Sequence, residues 1–544
     1  MHGRKNLLTW LNPRLDDGVA EEAGRLLDAV VAYLDSTGHT GLFDIAPPLG
    51  FEPDAAAAYR PSPVRLPEAE EDGRSAESVE EVEWASPASL ADMVVTGRIS
   101  RAEVVERFAT RIDEWQPTLN AFIRVTLSRE ASDGDAGRLA GVPIGIQDMI
   151  DVAGVPTTAG SRILGDYVPR ADSTAWRLLA EQGATLAGKL NTHEFAAGTT
   201  GDNQWFGAVR NPWDPSRTAG GAAGGPGAAV AAGLVSAAIA TDPGGSIRVP
   251  AAHNGVVGLK PTFGAMDRTG TIPLTWTTET MGVLARTVGA AAEIADILLD
   301  GRARARYGLS CRAAASGGRA AARMGLRIGV PTAWLAMGLD PEVDAGYHMA
   351  LDALAALGAD LVEVELPDAA SIAPAHRTIA FSEASSIHEQ ILATRAAQYG
   401  DIIRARQEAG RGVMASEYLK AFGLRGRFAR QFSQAWRSVD VIALPTSPVP
   451  AAEVGTAEIS TGPRGPEPAH TVYTRYSAPM NTLGLPALSV PCGFTARGLP
   501  IGLQLSGPPH SEPMLFSLAA AYEDATAWHL RHPTLADERN GERV

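Results

Sequence analysis

The stretch from Gly188 to Gly264 constrains this chain more than any other. It holds Gly220-Gly-Ala-Ala-Gly-Gly225 and then Thr241-Asp-Pro-Gly-Gly-Ser-Ile-Arg-Val-Pro250. Paired glycines let backbone approach backbone, or a bound molecule, with no β-carbon in the way. A Gly-Gly-Ser turn that enters a helix exposes the serine and aims backbone N–H groups at one spot. That arrangement suits a nucleophile with an oxyanion hole. Taken alone, Gly-Gly-Ser is also an ordinary helix cap.

Composition removes several classes of function. The 544 residues carry 47 basic and 62 acidic groups, a net charge of −15. Nucleic-acid binding needs a basic footprint, and a surface membrane anchor needs a polybasic one. An apolar content of 45% supplies a large core and excludes global disorder. Two cysteines, Cys311 and Cys492, make neither a disulfide framework nor a four-ligand zinc site. No His-Glu-x-x-His spacing occurs, so neither metal nor cofactor is expected. The N-terminus has no apolar stretch long enough for a secretory signal. The longest small-apolar run, Ala228 to Ala240, is broken by Gly233 and Ser236 and falls far short of the roughly 20 residues that span a bilayer. The expectation is a soluble, cytoplasmic protein that binds a small-molecule substrate or ligand, with no nucleic acid, no membrane and a homodimer possible.

Periodicity organises the chain. Residues 17–36 place Val19, Ala23, Leu26, Leu27, Val30, Val31 and Leu34 on one helical face. Residues 46–83 are rich in proline and acid and read as a linker. The expected domains are therefore a helical extension with its linker over 1–84, one large domain over 85–535, and a tail over 536–544. Ser100-Arg-Ala-Glu103 is a capping box before a helical run. Strands are expected at 141–146, 184–188, 327–330, 361–364 and 439–444, with helices at 174–182, 226–235 and 341–357, and helical segments running to about 437. This alternation predicts an α/β fold. The arginines at 302, 304, 306, 312, 319 and 323 read as a solvated connector between the two halves.

Ordered motifs then carry a resemblance. Gly141-Val-Pro-Ile-Gly, Gly188-Lys-Leu-Asn-Thr-His-Glu-Phe195, Gly201-Asp-Asn, Val209-Arg-Asn-Pro-Trp-Asp-Pro215, Thr241 to Pro250, Leu444-Pro-Thr-Ser-Pro448, Gly484 to Pro491 and Gly498 to Gln504 occur in sequence. Over about residues 86–535, the chain resembles the amidase signature family of serine hydrolases. The resemblance implies one large α/β domain with a mixed central sheet wrapped by helices. It also implies a Ser–cis-Ser–Lys relay. There a neutral lysine takes a proton from a bridging serine, which takes one from the nucleophile.

Only the nucleophile of that relay is kept, at Ser246. Ala222 stands where the bridging serine belongs, with Ala223 beside it, and Gln147 stands where the lysine belongs. Alanine has no side-chain oxygen, and a glutamine amide is no base near neutral pH. Pro243 removes one backbone donor from the implied oxyanion hole and leaves Gly244, Gly245 and Ser246. Losing one member of such a unit costs on the order of 10⁴–10⁶ in rate in other serine hydrolases, and a second loss adds little.

His253, seven residues beyond Ser246, is either a replacement base or a core histidine bonded to Asn254 or to backbone. Asp148 and Arg248 match the family and, with Ala223, are grouped with the substrate and oxyanion side. Their expected work is to bond the glycine loops and pair charges beneath the site. Trp205, Phe206, Trp276, Tyr473, Tyr476 and Met480 are candidate pocket walls, though core positions are common for such side chains. Three functions follow. The first is a repurposed enzyme (lyase, cyclase, isomerase or acyl transfer) acting on an amide, acyl or carbonyl substrate. The second is a silent relative that binds a small molecule or supports a partner. The third is an amide hydrolase with another base. The first is the expectation, and general amide hydrolysis is expected to be weak or absent.

Overall fold

Runs that are apolar without alternation, such as Ala237–Asp242 and Pro500–Ser506, are buried along their whole length. A strand covered on both faces gives this pattern. The computed structural model describes residues 79–127, 137–308, 310–316, 325–462 and 465–534. The expected helix at 17–36, most of the linker and the C-terminal tail lie outside those residues.

Eleven of the described strands form one sheet. In chain order they are β1 (Phe122–Val125), β2 (Pro143–Gln147), β3 (Thr185–Leu190), β4 (Ala237–Asp242), β5 (Val257–Lys260), β6 (Thr280–Ala285), β7 (Arg327–Val330), β8 (Asp360–Glu363), β9 (Val441–Pro445), β10 (Ala487–Phe494) and β11 (Pro500–Ser506). Across the sheet the order is β1-β3-β2-β4-β6-β5-β10-β11-β9-β7-β8. Pairing is parallel for β3/β2, β2/β4, β9/β7 and β7/β8, and antiparallel elsewhere. The sheet is therefore mixed, and helices cover it, as the resemblance implies.

The helices needed below are α1 (Gly224–Ala231), α2 (Arg248–Asn254), α3 (Ala369–Ile387), α4 (Asp401–Arg411), α5 (Ala415–Ala435) and α6 (Ala478–Thr482). Small residues let α1 sit flush against the sheet. A β-carbon on Gly225 would come within 2.4 Å of the Asn191 carbonyl oxygen. One apolar cluster joins α1 to the first half of the sheet through Ala229, Val230, Ala238 and Ile247. A second cluster, with Ile372, Ile379, Phe428, Phe432, Trp436 and Leu444, seats α3 and α5 on the other half.

Most expected elements appear with shifted ends. The Ser100 hydroxyl accepts from the Glu103 N–H at 3.1 Å and starts the helix Arg101–Leu119. That helix buries Val104, Val105, Phe108, Ile112 and Trp115, and stops where Asn120 turns left-handed at φ 53°. The arginine connector differs from expectation. It folds as two short helices, Arg302–Tyr307 and Cys311–Ser316. Gly301 and Gly308, at φ 84° and 71°, begin and end the first. A left-handed glycine on each side frames a helix that composition alone reads as loop. Arg319 and Arg323 lie outside the described residues. No described helix is long and apolar enough to cross a membrane.

Candidate active site

Strand β4 ends at Asp242, and the chain turns through Pro243, Gly244, Gly245 and Ser246 into α2. Asp242 ties the turn. It accepts from the N–H groups of Gly245 and Ile247, and Arg248 Nε donates to it at 3.0 Å. Burial pushes the Asp242 carboxyl up, but the Arg248 guanidinium and the surrounding donors outweigh it and hold the pKa at about 2. Arg248 also donates to Gln504 and Asn481, so the turn is pinned to β11 and α6. A β-carbon on Gly245, at φ 129°, would fall 2.2 Å from Ser477 Oγ. That position is glycine by necessity.

This arrangement revises the donor set. The Gly245 N–H is consumed by Asp242 and is unavailable to an oxyanion. The N–H groups of Gly244 and Ser246 make no hydrogen bond among the described residues. Two donors therefore remain of the three that the sequence offered. Arg248 is fully buried with Asp242, and Asp148 is fully buried with Lys189, 3.0 Å away. Asp148 also accepts from the N–H and hydroxyl of Thr158. The Ala223 N–H donates to the Ser246 carbonyl oxygen. None of these three residues lines the cavity in front of Ser246. They hold the site together, as a buried charge requires a partner and a turn requires its bonds.

The positions that the resemblance assigns to the relay carry a network of hydrogen bonds. The peptide bond between Gly221 and Ala222 is cis. Gln147 Nε2 donates to Thr192 Oγ1 at 2.8 Å, and Thr192 Oγ1 in turn donates to the Ala222 carbonyl oxygen at 3.1 Å. Gln147 Oε1 accepts from the Thr241 N–H at 2.7 Å. Both ends of the Gln147 amide are thus engaged with β4 and with the loop after β3.

None of Gln147, Thr192 and Ala222 lines the cavity that Ser246 lines. Pro243, Gly244, Ser246, Ala197 and Thr199 form one wall, and α3, α4 and the 470–479 segment form the rest. Three arginines (Arg377, Arg406 and Arg475) and two histidines (His376 and His470) line it, with no Asp or Glu. Arg475 is paired with Glu467. Neither Arg377 nor Arg406 has a carboxylate partner among the described residues; Arg406 donates to the Ala197 carbonyl oxygen. Burial lowers the His470 pKa to about 4, with Arg406 and Arg377 adding to the effect.

His253 lies elsewhere. Its ring packs edge-on against Tyr473, 4.8 Å between centroids, and it is not part of the cavity lining. Burial lowers its pKa to about 4. Its carbonyl oxygen accepts from Asn211 at 2.8 Å. His253 is buried, as the core reading expects, but among the described residues its ring nitrogens lack the hydrogen bond to Asn254 or to backbone which that reading included. The aromatic wall also differs from expectation. Tyr473 and Tyr476 bond to backbone groups in the interior, while Thr471, Thr474, Ala478 and Pro479 of the same segment face the cavity. Trp205, Phe206, Trp276 and Met480 do not line it. Sequence reading missed His376, Arg377, Arg406 and His470, because none belongs to a quoted motif. The available signal was the polar pair His376-Arg377 inside the otherwise largely apolar run of α3.

Known proteins share this architecture. The amidase family profile matches residues 103–516. A glutamyl-tRNA(Gln) amidotransferase subunit of Myxococcus xanthus is 38% identical over 474 residues, covering 80% of this chain and 96% of that protein. An inhibitor-bound structure, described as an unexpected vestigial protein complex that reveals the evolutionary origins of an s-triazine catabolic enzyme, superposes with a TM-score of 0.75. It is 30% identical and covers 81% of this chain and 98% of its own. The same glutamyl-tRNA(Gln) amidotransferase subunit from Thermotoga maritima gives a TM-score of 0.68 at 30% identity, covering 81% of this chain and 95% of that one.

These relatives correct two expectations. A repurposed or silent protein gives way to the amide-hydrolase alternative, since near full-length relatives are amidotransferase subunits and one of their solved structures shares the fold. A small molecule or a second copy as sole partner gives way as well, since those relatives are named as subunits and one structural neighbour as a protein complex. The chain belongs to the amidase family.

Proposed function

We propose that this chain is an amide C–N hydrolase that works as the amidase subunit beside a protein partner. Ser246 is its nucleophile, and a small amide bearing an anionic group is its substrate. The observation that carries the reading is the meeting of three features in one cavity: Ser246, two unengaged N–H groups at Gly244 and Ser246, and two arginines without a carboxylate partner among the described residues. Backbone donors at the site of developing oxyanion charge stabilise an acyl-transfer transition state. Arg377 and Arg406, with no acid in the lining, suit a carboxylate. The charge of the cavity is notable because the chain as a whole carries −15.

The test is ammonia release from carboxylate-bearing primary amides by the full chain, alone and with its co-purifying protein. Hydrolysis is expected for these amides and not for their uncharged analogues. Ser246→Ala should lower it by on the order of 10⁴-fold or more. Equal turnover by wild type and Ser246→Ala would overturn the assignment.

A further inference from the structure

A nucleophilic serine needs a proton acceptor, and the usual one is absent here. Gln147 has no basic atom, Ala222 has no hydroxyl, and both positions are tied into hydrogen bonds. Four of the described histidines lie near Ser246 in sequence or space; His193, whose ring packs against Gly198, does not line the cavity. His253 is outside the cavity. The His470 ring nitrogen Nε2 faces the neighbouring Thr471 hydroxyl. His376 is placed differently. It projects from α3 into the cavity that Ser246 and Gly244 also line. A β-carbon on Gly244, two residues before Ser246, would stand 3.0 Å from His376 Nε2. The missing side chain at Gly244 is what gives the imidazole its room beside the serine turn.

The other ring nitrogen fixes the tautomer. His376 Nδ1 lies 3.0 Å from Thr482 Oγ1. The Thr482 hydroxyl has a single hydrogen, and it donates that hydrogen to the Ala478 carbonyl oxygen at 2.9 Å. Both contacts are made at once only if Nδ1 carries the proton and Thr482 Oγ1 accepts it. Nε2 is then left with a bare lone pair, facing Gly244. A histidine whose far nitrogen is held by an acceptor, with its near nitrogen free in a cavity that a serine also lines, has the arrangement of a general base.

We propose that His376 is the general base for Ser246, oriented by Thr482, in place of the relay. The inference rests on the hydrolase reading given above. Nε2 takes the Ser246 hydroxyl proton as Oγ bonds to the amide carbonyl carbon, and the carbonyl π pair moves to oxygen. When the tetrahedral adduct collapses, the C–N bond breaks and the proton on Nε2 passes to the leaving nitrogen. An acyl ester on Ser246 remains. Water then adds to that ester carbon and gives a proton to Nε2. The C–Oγ bond breaks, and the proton returns to Oγ.

The charges around the ring set its pH behaviour. Arg377 lies on its own helix, Arg425 comes from α5, Arg248 from α2, and Asp242 from β4. Burial, then Arg425 and Arg377, lower the pKa to about 4, with Asp242 opposing. A base must be neutral to act, so a lowered pKa keeps His376 competent from pH 8 down to about 5. Competence is lost as pH falls through about 4.

The experiment measures fluorophosphonate labelling of Ser246, located by peptide mapping, together with ammonia release, on the full chain between pH 4 and 8. The wild type should label at a rate that is flat above about pH 5 and falls towards pH 4. His376→Ala should slow labelling by about 10²–10⁴-fold. Added imidazole should restore part of the rate, a rescue that a structural role does not give. Thr482→Val should slow labelling less and leave the fold intact by circular dichroism. Unchanged labelling in folded His376→Ala, with an active wild type, overturns the assignment of His376 and leaves the hydrolase reading standing. A folded wild type that neither labels nor hydrolyses overturns both.

Discussion

In one region, away from the cavity lining, Gln147, Thr192 and the Ala222 carbonyl form a chain of hydrogen bonds. In the other, α3 presents His376 and Arg377 to an open cavity. The first holds Gln147 and Ala222, the positions that the resemblance assigns to the family's proton relay. Every polar atom of Gln147 there already has a partner. The second keeps unspent capacity: a bare Nε2, an unpaired guanidinium, and two backbone donors on residues that line the same cavity. A saturated network rigidifies, whereas a polar group with spare capacity at a cavity wall is free to meet a substrate. Under the proposed mechanism the two regions have separate duties, support and chemistry.

The strongest challenge to that division is the pin beneath the turn. Arg248→Leu removes one member of the buried pair with Asp242 and leaves a carboxylate without its partner. Breaking such a pair costs about 3–5 kcal/mol, to be read from the denaturant midpoint. Activity should fall with it, since Asp242 also holds the Gly245 and Ile247 N–H groups. The pH dependence has a definite sign. The folded pKa of Asp242, about 2, lies below its ordinary 3.8. The pair therefore contributes stability that is fully present above about pH 4 and is lost as pH falls through about 2. A variant with full stability and full activity would show that the turn stands without its pin.

Arg377→Gln comes next. It removes an unpaired charge from the cavity without emptying the space. If Arg377 binds an anionic group, KM for carboxylate-bearing amides should rise by about tenfold, the scale of a charge-assisted hydrogen bond. The kcat should change less, and uncharged amides should show no loss. A fall in kcat alone, at fixed KM, would move Arg377 from substrate recognition to support of His376 on the same helix.

Legibility in the sequence followed the same division. Strands and helices near the glycine loops were readable because their periods and breakers are local: the Ser100 cap, the buried run of β2 and the small residues of α1 all announce themselves. Ser246, Gln147 and Ala222 stood out because they sit inside motifs of fixed spacing. The use of Gly245 was not readable, since its N–H is claimed by a carboxylate only three residues back and the choice depends on the turn. His376 and Arg377 were missed because they reach Ser246 from a helix more than a hundred residues downstream. Nothing in a single sequence reports that closure. His253 drew attention through proximity in sequence, yet α2 carries it to Tyr473 and away from the cavity.

The smallest effect on catalysis is expected at Gln147, and it is the sharpest test of the support region. Gln147→Met keeps the volume and removes both hydrogen bonds. The Thr241 N–H on β4 then loses its acceptor, and Thr192 loses a donor. Leaving a buried donor unpaired costs about 1–3 kcal/mol, so the melting temperature should drop. The serine turn, held by Asp242, Arg248 and Asn481, has its own bonds and should keep its shape. Below the melting transition, kcat should therefore stay within about twofold of wild type, because no proton passes through Gln147. A loss as deep as that of Ser246→Ala, in protein that remains folded, would mean that Gln147 acts on the reaction after all. The hydrogen-bonded region would then be part of the chemistry, and the separation between the two regions would fail.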